Sequence, residues 1–194
     1  MLLAFTLLAA LITDCAELNA QLLNRTKGDT FVVCGTVSYV GEPKFPTFFF
    51  IENGTIATTI HCFHPAHLPR PGDRIKAYGY VGAYKPDFSH AVETNVQILA
   101  SGTIPAPRKL SLADIAAGLG DSRVVTLTGR IYASFLDEID SNYHWLAVED
   151  LGTTLFVAFI RDARYNDANL PRHGDLVELT GVCRRTVHYN RRRL

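Results

Sequence analysis

Leu68-Pro69-Arg70-Pro71-Gly72-Asp73-Arg74-Ile75 returns as Leu170-Pro171-Arg172-His173-Gly174-Asp175-Leu176-Val177, and each copy leads through an apolar, β-branched stretch to a glycine at the same distance, Gly79 and Gly181. The surroundings repeat as well. Phe31-Val32-Val33-Cys34-Gly35-Thr36-Val37 aligns with Val125-Thr126-Leu127-Thr128-Gly129-Arg130-Ile131, and Ile51-Glu52-Asn53-Gly54 aligns with Val148-Glu149-Asp150-Leu151-Gly152. A pattern that recurs at one period is the mark of a repeated structural unit, so the chain reads as two copies of one small β unit.

A chain of 194 residues divides into two units of about 90 residues, each large enough to bury its own core. Apolar and charged fractions are those of an ordinary globular protein. Formal net charge is zero, which removes the overall field that draws a protein to nucleic acid or anionic lipid and leaves only local patches to do so. Four cysteines, Cys15, Cys34, Cys62 and Cys183, form neither a Cys-x-x-Cys pair nor a dense framework. No cofactor is expected.

Strand signals in the first unit fall at Thr30 to Val40, Phe48 to Glu52, Ala57 to Phe63, Arg74 to Gly82 and Val92 to Leu99, bounded by Gly, Pro or Asn. The second unit repeats them at Arg123 to Phe135, Tyr143 to Glu149, Thr154 to Ile160 and Leu176 to Arg185, with a fifth strand expected at or beyond the last residues. Five short strands, a glycine within the first where a small barrel bends, and a Gly-Asp turn before the fourth predict an all-β chain of two tandem five-stranded Greek-key barrels of the OB kind, with short connecting helices. A seven-stranded immunoglobulin-like sandwich fits neither the strand count nor the cysteines.

The expected domain layout is residues 1–20 as a candidate signal peptide or N-terminal helix, 21–101 as the first barrel, 102–122 as a Pro-rich linker with a short helix, and 123–194 as the second. Met1 to Ile12 has the length of a signal-peptide core but no basic start, and Leu18, Leu22 and Leu23 recur at helical spacing.

With these residues in view, the chain resembles the tandem OB-like sensor region that precedes the membrane and kinase parts of some bacterial hybrid sensor histidine kinases. The resemblance runs from about Ala16 onward. It is carried by Gly35, the Phe50-Ile51-Glu52-Asn53-Gly54 hairpin, the Leu-Pro-Arg-Pro-Gly-Asp turn, Gly82-Ala83-Tyr84-Lys85-Pro86, Ile104-Pro105-Ala106-Pro107 and the helix before Arg123. It implies a non-catalytic module, periplasmic or secreted, that binds a small molecule, glycan, peptide or partner protein in two-component signalling, tethered to the membrane through a downstream segment. No phosphoacceptor or nucleotide-binding motif occurs in the chain, so output is expected elsewhere.

OB barrels bind on the face of the second and third strands and in the loops joining strands one to two and four to five. Those places hold Tyr39, Phe48, Phe50, Tyr84, Lys85 and Phe88 in the first unit and Tyr143 and Trp145 in the second. Rings beside hydrogen-bonding groups suit sugars and bases alike. Phe48 and Phe50 alternate with Phe49 and Ile51, so one pair faces the core, and alternation alone does not say which. Against a ligand role for any of these rings stands ordinary core packing.

Arg184, Arg185, Arg191, Arg192 and Arg193 gather near the end around His188 and Tyr189. With the aromatic faces they support the alternative, a single-stranded nucleic-acid binder, against which stands the acidic loop Asp137-Glu138-Ile139-Asp140. A third reading is a structural adaptor. His61, Cys62, His64 and His67 are weak metal candidates, since the second unit has no matching cluster and surface histidines at a strand end explain them. Asp73 and Asp175, each after a turn glycine, are expected to brace the turn backbone rather than to catalyse, and no nucleophile with its base, carboxylate pair or phosphate loop stands at working spacing.

Overall fold

The computed structural model describes residues 15, 18, 28–41, 47–54, 56–62, 68–85, 88–138, 142–160 and 170–184, with 83–85, 88–91, 93, 94 and 158–160 described by backbone alone. The chain is all-β in character and divides into two compact units, Met1–Ala106 and Pro107–Leu194.

In the first unit β1 (Thr30–Val40), β2 (Thr47–Asn53), β3 (Ile56–Cys62), β4 (Arg74–Lys85) and β5 (Phe88–Ala100) close into a barrel in the order β1-β2-β3-β5-β4. All pairs are antiparallel except β3 with β5, which is parallel and closes the ring. Closure removes the open strand edges that would otherwise recruit other chains. Side chains alternate across each strand, and Phe31, Val33, Val37, Phe49, Ile51, Ile60, Ile75, Ala77 and Val81 fill the interior together with Cys15 and Leu18. The pair pointing inward is thus Phe49 and Ile51.

The second unit contains β6 (Arg108–Lys109), α1 (Leu112–Ala116), β7 (Val124–Leu136), β8 (Tyr143–Asp150), β9 (Thr153–Ile160) and β10 (Leu176–Val182). Its sheet runs β10-β7-β8-β9, with β6 parallel to β7. Among the described residues no strand joins β9 to β10, and the expected fifth strand falls outside them. Leu112, Leu127, Ile131, Leu146 and Val148 form the core. Helix α1 starts at Ser111, whose hydroxyl accepts from the Asp114 N–H at 3.1 Å while the Asp114 carboxylate accepts from the Ser111 N–H at 3.0 Å, a reciprocal cap.

Two expectations change. The stretch expected as the loop between the fourth and fifth strands is strand on both sides of residues 86–87, because pairing continues through Gly82 with His90 and Ala83 with Ser89. Within the segment expected as linker and short helix, the helix covers only Leu112–Ala116, and Arg108 and Lys109 leave the Pro-rich stretch to pair with Val125 and Thr126. The expected N-terminal helix and export signal fall largely outside the described residues. No helix among the described residues is long and apolar enough to cross a membrane.

Candidate functional site

The duplicated turn shapes the outer face of both units. In the first, the Arg70 N–H donates to the Asp73 carboxylate at 2.8 Å, the Gly72 N–H to the Val37 carbonyl at 2.8 Å, and the Val37 N–H to the Asp73 carbonyl at 2.8 Å. In the second, Arg172 donates to the Asp175 carboxylate at 2.8 Å, Gly174 to the Ile131 carbonyl at 2.8 Å and Ile131 to the Asp175 carbonyl at 2.9 Å. Gly72 and Gly174 adopt φ of 95° and 88°, a region open to glycine at little cost. On the other edge of the same strands, β1 and β7, the ladder to the next strand slips beside the turn, between Val37 and Tyr39 and between Ile131 and Ala133. Such a bulge twists the strand and re-aims the side chains beyond it.

Beyond the bulge, the first unit carries an aromatic cluster. Tyr39 lies opposite Phe50, and Phe48 lies opposite His61. The Tyr39 and Phe50 rings are 6.0 Å apart, Phe48 meets Phe50 edge-on at 5.6 Å, and Phe48 stands 6.3 Å from the His61 ring. Of the residues expected at the ligand face, Tyr39 is 39% exposed and Phe48 half-buried, whereas Phe50 is 1% exposed. Phe50 therefore floors the cluster instead of offering its own face. The backbone places Tyr84 and Lys85 at the end of β4 and Phe88 at the start of β5, away from the loop role expected of them.

In the second unit Phe135 lies opposite Trp145, and Ala147 opposite Phe156. The Phe135 and Phe156 rings meet edge-on at 6.5 Å, with 43% and 64% of each residue exposed. The Trp145 indole N–H donates to the Asp137 carboxylate at 2.7 Å, which fixes the ring and sets a negative charge at the end of the face. Tyr143, half-buried, begins the same strand, and the exposed Arg184 lies just past β10. Phe156 joins this face although it is not among the residues expected there. Its alternation with Leu155 and Val157 is visible, but its facing Trp145's side of the sheet comes only from the register.

The metal reading fails for its described half. His61 points to the outer face beside Phe48, and Cys62, next along the strand, is buried in the core, so the two cannot hold one ion. His64 and His67 lie outside the described residues, as do Arg185, Arg191, Arg192 and Arg193. Among the described residues no group of three or more metal-binding side chains occurs.

A groove of about 600 Å³ opens at the turn end of the second unit, between Arg130, Tyr132, Glu149, Leu151, His173 and Leu176. Arg130 Nη1 donates to the Gly174 carbonyl at 3.0 Å. The His173 Nδ1 lies 2.8 Å from the Tyr132 carbonyl, which can only accept, so that nitrogen carries the proton and a neutral ring leaves Nε2 as an acceptor. Just past β10, burial and the Asp121 charge push the Cys183 thiol up, which keeps it protonated and poorly nucleophilic.

No family model matches the chain, and no curated protein matches it. Among solved structures the chain is similar to a murine DNA-binding protein bound with double-stranded DNA, at 11% identity over 76% of this chain and 84% of that one, with a TM-score of 0.40. It is also similar to the tetrameric p202 HIN2, at 15% identity over 80% of this chain and 79% of that one, with a TM-score of 0.36. At this level of likeness neither neighbour's ligand transfers to this chain.

Proposed function

We propose that the chain is a tandem OB-type module that binds rather than catalyses, and that its ligand is a single-stranded nucleic acid laid over the aromatic outer faces. The observation that carries this is the recurrence of exposed or half-buried rings on the same three-strand face of both units: Tyr39 and Phe48 above Phe50 in one, Phe135, Trp145 and Phe156 in the other. Strand order β1-β2-β3-β5-β4 in the first unit supports the OB assignment, and the shared turn and bulge extend it to the second. Bases stack on such rings whatever their sequence, at about 1–3 kcal/mol per base. The protonated Cys183 and the purely structural bonds of Asp73 and Asp175 support a non-enzymatic role.

A second reading has its own observation. The groove around Arg130 and His173 mixes aromatic walls with donors and acceptors, and its volume suits a small polar ligand such as a sugar. That favours the extracytoplasmic sensor that the sequence resembles, with a glycan or peptide as signal. Thermal shift of the full chain with short oligonucleotides, glycans and peptides at low and high salt separates the two, because a ligand of the native state raises its melting temperature. An oligonucleotide shift that salt suppresses supports the first reading; a salt-insensitive shift with a glycan alone overturns it in favour of the second.

A further inference from the structure

We propose that the outer row of β4 in the first unit, Arg74, Lys76, Tyr78 and Tyr80, is a second binding track for the nucleic-acid strand, gripping its phosphates on a part of the barrel wall away from the β2–β3 face. This rests on the single-strand reading above. Ile75, Ala77 and Val81 point into the core, so the residues between them form one outward row. Their partners across β1 are Thr36, Cys34, Val32 and Thr30, none of them charged. Lys76 Nζ stands 5.2 Å from the centroid of the Tyr78 ring, which holds the ammonium along the row instead of leaving it to wave in water. Tyr80 is 42% exposed and Arg74 is exposed.

Alternate residues of a strand stand about 6.7 Å apart, so the four span roughly 20 Å. That spacing is close to the repeat of an extended single strand, and two cations beside two rings match its two chemistries, phosphate and base. The second unit makes the row specific. By register its counterparts are Leu176, Glu178, Thr180 and Val182, which carry no cation. A solvated wall demanded by the fold would be expected in both copies; this one occurs in one. Glu52, next to Thr36 across β1 and β2, bounds the row at the Arg74 end.

The test is the salt dependence of binding of a thymidine homo-oligonucleotide to the full chain and to Arg74→Gln/Lys76→Gln. For the double variant the slope of log K against log salt is expected to flatten by about 1.4, about 0.7 for each phosphate no longer neutralised. The charge-conserving Arg74→Lys/Lys76→Arg variant is expected to keep the parent slope, which separates lost charge from disturbed folding. An unchanged slope in the glutamine variant, with the parent chain binding, overturns the track alone. Absence of binding by the parent chain overturns the single-strand reading and the track with it.

Discussion

The two units share a turn, a bulge and a first-strand glycine, yet the same sequence features sit in different surroundings. Gly79 and Gly181 occupy one register position, opposite Phe31 and Val125. A Cβ on Gly79 would run into the Val92 carbonyl of β5 and come within 2.6 Å of the Phe31 ring, whereas a Cβ on Gly181 meets no described atom within 4 Å. Asp73 is buried and Asp175 exposed, though both brace their turn at the same distance. The repeat thus encodes the frame, and the elements packed around it decide what each residue contributes.

The glycine pair should break the comparison hardest. Gly79→Ala is expected to cost on the order of 3 kcal/mol or more, since backbone rather than a flexible side chain blocks the new methyl. Gly181→Ala is expected to be neutral or to stabilise by up to about 1 kcal/mol, through reduced freedom of the unfolded chain. Urea unfolding followed by circular dichroism reads both. A large cost at Gly181 would reveal a strand crossing β10 and make the units alike.

The aspartates come next. Asp73→Ala leaves the Arg70 N–H without its acceptor in a part-buried turn and empties the buried site of the carboxylate, and is expected to cost about 2 kcal/mol. Asp175→Ala exposes the matching N–H to water and should cost about 0.5 kcal/mol, measurable in the same unfolding series. Equal losses would mean that burial does not distinguish the turns.

The smallest effect concerns the helix cap of the second unit. Ser111→Ala removes the α1 cap and is expected to cost about 0.5 kcal/mol, the low end for a capping residue because the site is open to water. The Ser111 hydroxyl, then its N–H, holds the Asp114 carboxyl below its ordinary value of 3.8. A depressed folded value means that this stabilisation is present at neutral pH and fades as pH falls through the folded value, below about 3.8. In the alanine variant that acid-range decline should be shallower, as pH-dependent unfolding will show.

Much of the frame is legible in the sequence. Leu-Pro-Arg-x-Gly-Asp announces its own turn, because glycine supplies the positive φ and aspartate the acceptor. Alternation in Phe48-Phe49-Phe50-Ile51 announces two faces, but choosing between them needs Phe49 opposite Ile60 and Val40, a register that local sequence does not contain. Gly82 reads as a breaker, and antiparallel pairing carries β4 past it to Lys85 all the same. Arg74, Lys76, Tyr78 and Tyr80 read as an ordinary strand because their distinction lies in comparison with Leu176, Glu178, Thr180 and Val182. Phe156 escapes notice for the same reason that Phe50 looks available: exposure belongs to the fold.

The chain contains a single tryptophan, Trp145, and it stands on the proposed aromatic face of the second unit. Its fluorescence during titration with a thymidine homo-oligonucleotide therefore reports stacking at that face directly. The account predicts saturable quenching that weakens as salt rises and is reduced in Phe156→Ala, whose ring borders the same face. Saturable oligonucleotide binding with unchanged tryptophan emission, or quenching by a neutral glycan and by no oligonucleotide, would contradict it.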